Sequence, residues 1–349
     1  MSSILVTGGA GFIGSHTCLK LLENGFTVFV IDSFCKSSSS SLEIIKQHFK
    51  NNQPKLKNDL YYFKGNIKNI SVLDDIFKFA KKIGEDIKAV IHFAGFKSVS
   101  DSIYNPLMYW DNNFCGTISL LKSMMKNDCR CIVFSSSATI YEPNKNELIK
   151  EDTKINPINP YGNTKAAIET LLNDIYKSKY KEWRIANLRY FNPVGAHPNC
   201  LIGEVTNSDA SNLFPNIIKV AKGIVPYINI YGNDWPSKDG TCIRDYIHIM
   251  DLAEGHIKAL KFLLSNDNKF ININLGTGIG KSVLEVIKTF EEINELKIPY
   301  VFKNRRLGDR GKVVANISFS KDILNWVPVF NLSDMCRDAW NWEKSNLIN

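Results

Sequence analysis

The chain has 349 residues, 44% of them hydrophobic and 22% charged, with a net charge of +8. That length exceeds one small core and suits two intimately joined lobes, and no stretch is apolar for long enough to span a bilayer. The lysines are scattered among glutamates and asparagines instead of forming a stripe, which argues against a nucleic-acid face; the positive balance reads as solvated surface and also suits an anionic small-molecule substrate. The N-terminus runs straight into a strand-like run with no charged leader, so a secretory signal is not expected. Eight cysteines occur with no C-x-x-C pair, which disfavours a zinc or redox-pair site and fits a reducing, cytoplasmic setting.

In chain order, Ile4, Leu5 and Val6 read as a short buried strand, Phe12 to Leu22 as a helix with Gly25 after its end, and Thr27 to Ile31 as a second strand. Between the first two lies TGGAGFIG, Thr7 to Gly14, with four glycines in eight residues. Gly9-x-Gly11-x-x-Gly14 fits a dinucleotide fingerprint: glycine lets the backbone approach a pyrophosphate, and the helix N-terminus offers free N–H groups. Asp32 ends the second strand where a carboxylate accepts from ribose hydroxyls. It would repel a 2′-phosphate, and Ser33, Phe34 and Cys35 follow it with no arginine, so NAD is favoured over NADP.

Lys36 to Ser41 reads as a polar loop and Lys50 to Asp59 as a connector. Leu60 to Lys64 reads as a strand, Ser71 to Lys82 as a helix capped by serine, Ala89 to Phe93 as a strand and Pro106 to Met125 as one long helix. Cys131 to Ser135 reads as a strand entering SSSAT, Tyr161 to Tyr176 as a helix and Trp183 to Tyr190 as a strand. This alternation predicts an α/β fold with a doubly wound, Rossmann-type parallel sheet over residues 1–190. From Phe191 proline, asparagine and glycine become frequent, and residues 191–349 read as a smaller C-terminal α/β lobe for substrate, with some segments returning to the first domain. Strand-like Asn272 to Leu275 and helical Val283 to Glu292 fall there, and Trp326, Trp340 and Trp342 read as packing anchors.

PYGNTK places Tyr161 and Lys165 at i and i+4, on one helix face. A free tyrosine is a poor base at neutral pH, and a nearby ammonium stabilises its phenolate. Ser135, Ser136 and Ser137 lie at the carboxyl edge of the preceding strand, where open α/β sheets bind ligands. A serine hydroxyl there can hydrogen-bond a substrate oxygen and pass a proton to Tyr161. With the dinucleotide loop, the set points to hydride transfer.

VTGGAGFIGSHT, VIHFAGFKSV, FSSSATIY, PYGNTK, LRYFNPVGAHP, RDYIHIMDLA and LGTG together carry a resemblance that runs nearly end to end. The chain resembles the extended short-chain dehydrogenase/reductases, and among them the UDP-glucose 4-epimerase family. The resemblance implies that Tyr161 removes the proton from the sugar 4-hydroxyl, that Ser137 polarises the same oxygen or relays the proton, and that Lys165 binds the nicotinamide ribose and depresses the tyrosine pKa. It implies NAD contacts from Gly8, Gly11, Phe12, Ile13, Asp32, Ser33, Asn66, Ile67, Phe93, Ala94, Gly95, Lys97, Asn112, Tyr161, Lys165 and Tyr190. For the UDP-sugar it implies Ser137, Tyr161, Asn192, Asn212, Leu213, Tyr231, Arg244, Arg306 and Asp309, and it implies a homodimer packed through long helices of the NAD lobe. The chemistry agrees with this set, because a diphosphate suits guanidinium donors.

Asn66 stands where the family usually has aspartate against adenine, and its oxygen still accepts. Glu142 and Cys242 replace glycines. Val313 falls where a bulky tyrosine or a small residue sets whether N-acetylated sugars are accepted, so UDP-N-acetylglucosamine is expected as a further substrate. The related dehydratases use an Asp-Glu pair where this chain has Ala138 and Thr139, which disfavours dehydration. The competing readings are a UDP-glucuronate or pentose 4-epimerase and, from another class, a non-catalytic dinucleotide sensor.

Overall fold

The short runs of β-branched and apolar residues become a parallel sheet because they are buried on both faces. The structure, a computed structural model, describes residues 2–52, 59–142, 148–178, 182–205, 212–306 and 309–348. The chain forms two compact units, Met1–Tyr141 with Lys154–Arg189 and Ala253–Ile273, and Glu142–Thr153 with Tyr190–Leu252 and Asn274–Asn349.

In the first unit the elements are β1 (Ser3–Thr7), α1 (Phe12–Glu23), β2 (Thr27–Asp32), α2 (Ser40–Asn52), β3 (Leu60–Lys64), α3 (Ile70–Lys82) and β4 (Ile87–His92). Next come α4 (Val99–Tyr104), α5 (Pro106–Tyr109), α6 (Gly116–Lys126), β5 (Cys131–Ser137), α7 (Pro160–Lys177) and β6 (Arg184–Tyr190). A seven-stranded sheet has the order β3-β2-β1-β4-β5-β6, followed by the strand Phe270–Leu275. The chain winds outward from β1 in both directions, so the β1/β4 boundary is the switch point at which such sheets bind ligands. Residues 4–6 of β1 are fully buried. The face of α3 bearing Leu73, Ile76, Phe77 and Ala80 packs into the same core as Phe29 and Ile31 of β2, the i, i+3, i+4, i+7 pattern of an amphipathic helix.

Three expectations change. The polar run at Lys36 ends earlier than expected, because α2 begins at Ser40. Asn69, not Ser71, caps α3: its side chain accepts from the Ser71 amide, so the helix starts one residue sooner. The long helix from Pro106 is interrupted by a π-helical stretch, Trp110–Cys115, between α5 and α6. Such stretches widen a helix by one residue per turn and gather at functional sites. The connector expected at Lys50 to Asp59 lies partly outside the described residues.

The second unit holds β7 (Asn192–Val194), α8 (Leu213–Ala221), β8 (Ile228–Tyr231) and β9 (Ile243–His248). The helix α9 (Ile249–Leu264) follows, and its residues from Ala253 belong to the first unit, as does most of β10 (Phe270–Leu275). The loosened sequence pattern hid α9 and the closing helix. Then come β11 (Gly280–Ser282), α10 (Val283–Asn294), β12 (Tyr300–Lys303), β13 (Lys312–Val313), α11 (Ser318–Leu324) and α12 (Leu332–Ile348). β9 pairs with β7, β11 and β13, and β8 pairs with β12. Val286, Ile287 and Phe290 of α10 share a core with Met335, Cys336, Ala339 and Trp340 of α12. Trp326 is buried and donates its indole N–H to the Asp251 carbonyl, 3.1 Å. All eight cysteines are free thiols.

Candidate active site

The glycine loop connects β1 to α1. Gly8 has φ +70°, and a Cβ there would lie 2.7 Å from the Ala94 amide nitrogen. A Cβ at Gly14 would collide with the Gly8 carbonyl. The loop therefore excludes side chains so that it can pack backbone against backbone. Gly11 is the N-cap of α1 and supplies no side-chain hydrogen bond, so the first-turn N–H groups are left for an anion.

Asp32, at the end of β2, is 9% exposed. Its carboxylate accepts from the Ala10 amide at 3.0 Å, the Phe34 amide at 2.9 Å and the Ser37 hydroxyl at 2.9 Å. A carboxylate has about four acceptor sites, so one is left for a ribose hydroxyl. The cradle fits a dinucleotide on three grounds: bare backbone, an uncapped helix start and a carboxylate with a spare lone pair.

The other strand ends meet this loop. His92 ends β4 and pairs in register with Thr7, while Phe93 and Ala94 both donate to the Thr7 carbonyl. Ile67 is buried against Gly116, and Asn66 is exposed with its side-chain oxygen accepting from the Lys68 amide at 2.9 Å. Asn112 lies in the π-helical stretch and donates to Asn113, which bonds Phe96 through both its amide and its carbonyl. Lys97 is exposed and Gly95 approaches Asn113.

His92 makes two buried bonds, to the Thr7 hydroxyl (2.6 Å) and the Thr117 hydroxyl (2.9 Å). Thr117 donates its own proton to the Asn113 carbonyl, so the imidazole Nε2 carries the proton toward Thr117 and Nδ1 accepts from Thr7. Burial, with the nearby Lys165 charge, pulls its pKa down to about 3, and the ring stays neutral.

α7 starts at Pro160, with Asn159 as its N-cap accepting from Gly162. Tyr161 is half-buried and Lys165 buried. The Lys165 ammonium donates to the Ser135 carbonyl at 2.5 Å and lies 4.8 Å from the Phe134 ring centre and 5.9 Å from that of Tyr161. The Ser137 hydroxyl accepts from the amide and hydroxyl of Thr139. Burial holds the Tyr161 phenol above its ordinary range, and a hydrogen bond with Ser137 draws it back. Burial also pulls Lys165 down to about 7, against the opposing charge of Glu169. Burial therefore outweighs the implied depression of Tyr161 by Lys165: both groups lose hydration in the same place, and the hydroxyl of Ser137 is the favourable contact.

In the second unit the residues expected to hold the nucleotide sugar lie on β7, β8, β9 and β13, at the start of α8 and in the segment before β13. Arg244 lies 4.0 Å from Asp309, and Arg306 lies 3.5 Å from the same carboxylate. The Arg306 guanidinium sits 4.1 Å from the Tyr231 ring centre. Val313 pairs with Arg244 between parallel strands, and the Asn192 amide donates to the Asp245 carbonyl. Tyr190 is buried. Asn212 and Leu213 start α8, where Leu213 packs against the apolar core.

Sequence reasoning passed over Asp245, although RDYIH was in view. Its buried carboxylate accepts from the amides of Thr277, Gly278 and Ala315 and from the Thr277 hydroxyl, at 2.7–3.1 Å. It thus ties the LGTG turn and the residue two beyond Val313 to the strand carrying Arg244. Burial raises its pKa and these donors lower it. Glu169 was passed over too; an acid one turn beyond Lys165 was the available signal.

Comparison with known proteins agrees with this geometry. The family model described as GDP-mannose 4,6 dehydratase matches residues 5–339. The bifunctional UDP-glucose 4-epimerase and UDP-xylose 4-epimerase 1 of Pisum sativum is 46% identical, over 98% of this chain and 96% of its own. A crystal structure of UDP-glucose 4-epimerase from Stenotrophomonas maltophila, with bound NAD and formylated UDP-arabinopyranose, matches with TM-score 0.92 and 39% identity, covering 100% and 99% of the two chains. The Bifidobacterium longum UDP-glucose 4-epimerase, in complex with NAD+ and UDP, matches with TM-score 0.90 and 38% identity over 99% of each chain. A glycine cradle, Tyr161 and Lys165 on one helix face and likeness over essentially the whole length place this chain in the extended short-chain dehydrogenase/reductase family, among the UDP-glucose 4-epimerases.

Proposed function

We propose that this protein interconverts UDP-glucose and UDP-galactose by inverting C4 of the sugar, with NAD held in the glycine cradle, as a step of galactose metabolism. The observation that carries the reading is the convergence of Tyr161, Ser137 and Lys165 at the carboxyl edge of a sheet whose switch point holds the cradle. NAD, when bound, supplies the acceptor for the C4 hydride and the donor that returns it to the opposite face of the sugar.

The chain's own residues handle the proton and the positioning. Tyr161 takes the 4-hydroxyl proton and gives it back. Ser137 stabilises the phenolate form of Tyr161 and orients the sugar oxygen. Lys165, as an ammonium, offsets the cost of a buried phenolate. Gly8, Gly11, Phe12 and Ile13 receive the pyrophosphate at the start of α1, Asp32 with Ser33 the adenosine ribose, and Asn66 with Ile67 the adenine. Phe93, Ala94, Gly95, Lys97, Asn112 and Tyr190 complete the cofactor set. Arg244 and Arg306 suit a diphosphate, Asp309 a ribose hydroxyl, the Tyr231 ring a base, and Asn192, Asn212 and Leu213 the remaining nucleotide-sugar contacts. Ala138 and Thr139 form the turn after Ser137; neither carries a carboxyl group, so the acid and base a dehydration needs are missing there.

The test is to give the purified protein UDP-galactose with no added nucleotide, quench, remove it, and assay UDP-glucose with a coupled dehydrogenase. Product is expected. No product with or without added NAD overturns the reading. A second reading, C4 inversion of UDP-pentoses, is favoured by the xylose activity named for the pea relative and the pentose in the Stenotrophomonas complex; turnover of UDP-xylose tests it. Val313, smaller than tyrosine, supports acceptance of UDP-N-acetylglucosamine, and absent turnover of that sugar refutes it.

The exposed apolar side chains of Ile103, Tyr104, Leu107 and Met108 on α4 and α5 support a homodimer. Sedimentation should give about twice the chain mass of 39.5 kDa. Free thiols throughout support a cytoplasmic location, which cell fractionation checks; no helix among the described residues is long and apolar enough to cross a membrane.

A further inference from the structure

Three successive turns of α7 each meet the end of β5. Tyr161 bonds Ser137, Lys165 donates to the Ser135 carbonyl, and Glu169 accepts from the Ser136 hydroxyl at 2.5 Å. Glu169 is 5% exposed and also accepts from Arg189 of β6, at 2.9 Å from Nε and 2.6 Å from a terminal nitrogen. Arg189, 2% exposed, donates to the Tyr141 hydroxyl at 3.1 Å and stands over that ring. Ser136 sits between the residue that holds Lys165 and the residue that bonds Tyr161.

We propose that Glu169 is a positioning residue for catalysis: it supplies the buried negative charge that keeps Lys165 an ammonium, and it locks the catalytic helix to the strand end that carries Ser137. The inference rests on the epimerase reading above. A buried ion pair is weak evidence for stability, since apolar residues of similar volume often serve as well. A carboxylate one helical turn from a buried ammonium does something an apolar residue cannot.

The groups facing Lys165 are few in kind. On its own helix they are Tyr161 and Glu169. From β4 comes His92, which is neutral, and from β5 the Ser135 carbonyl and the Phe134 ring. Arg189 of β6 is bonded to the Glu169 carboxylate. Glu169 is the carboxylate that raises Lys165 against its burial.

The experiment titrates Lys165 directly, by 13C NMR of lysine side chains labelled at Cε, with the signal assigned by its loss in Lys165→Met. In the natural chain the midpoint should fall near 7. Glu169→Gln should lower it by about one unit or more. The double variant Glu169→Gln/Arg189→Met also removes the buried guanidinium that would otherwise lose its partner and should likewise titrate below the natural chain, so failure of the single variant to fold does not stop the test. In kinetics, kcat at pH 7 should fall about fivefold, the loss of ammonium that one unit implies, with KM unchanged and the basic limb moved to lower pH. An unchanged midpoint in folded variant protein overturns the proposal, as does lost thermal stability with an unmoved basic limb. The NMR readout needs no turnover, so an inactive natural chain would refute the epimerase reading separately.

Discussion

The first unit carries its candidate groups at the ends of sheet strands and on one face of an 18-residue helix; the second carries them on strands of two to six residues and on the segments between them. Thr7, Asp32, His92 and Ser137 each end or adjoin the end of a strand, and Tyr161 and Lys165 share one helix face. Arg244 and Val313 lie on strands of six and two residues, whose neighbouring segments are drawn together by the Asp245 carboxylate. A site on rigid elements suits proton and hydride chemistry, where small displacements cost rate. A site of charged groups on turns suits holding a flexible diphosphate. On the proposed reading, the comparison predicts that changes in the first unit act on kcat and changes in the second on KM.

The largest expected effect is that of Tyr161→Phe, which should lower kcat by about 10²–10⁴-fold while bound nucleotide, measured after denaturation, is retained. A change confined to KM would break the division. Next is Arg189→Met, which leaves Glu169 buried without its ionic partner; urea unfolding should show a loss of about 3–5 kcal/mol, with much of it recovered in the double variant that also neutralises Glu169.

Acid should expose His92 after that. Its folded pKa of about 3 lies below its ordinary 6.5, so the unfolded chain takes up a proton between those values and the folded chain does not. Its contribution to stability is whole above 6.5 and is lost as pH falls toward 3, at about 1.4 kcal/mol per unit. Unfolding measured at pH 7 and 4.5 should show that part of the slope missing in His92→Gln. An equal slope would mean that the ring is protonated in the fold.

The smallest effect sharpens the comparison from the other side. Arg244→Ala should raise KM for the UDP-sugar about tenfold to a hundredfold, the worth of a charged hydrogen bond, with kcat nearly unchanged in initial-rate measurements. A fall in kcat with KM constant would place Arg244 in the chemistry.

Much of the first unit was legible because its signals are local. The glycine loop, the carboxylate at the end of β2 and the Tyr-x-x-x-Lys spacing each lie within one element or one turn. α9 was less legible: it begins directly after β9, inside a stretch whose prolines and glycines suggested loops. The cap of α3 was misplaced by two residues because Asn69 and Ser71 are both good caps, and the hydrogen bond alone distinguishes them.

By itself the sequence determined the doubly wound sheet, the glycine loop between β1 and α1 and the placing of Tyr161 and Lys165 on one helix face, because those depend on period, spacing and the special backbone of glycine. It did not determine which groups are charged. That Lys165 is drawn down to about 7, that Tyr161 is held up, and that His92 stays neutral depends on burial and on partners brought from other elements. Glu169 and Arg189 are twenty residues apart, and Asp245 reaches segments more than thirty residues away. Only packing brings such groups within a few ångströms, where removal from water makes each charge depend on its neighbour.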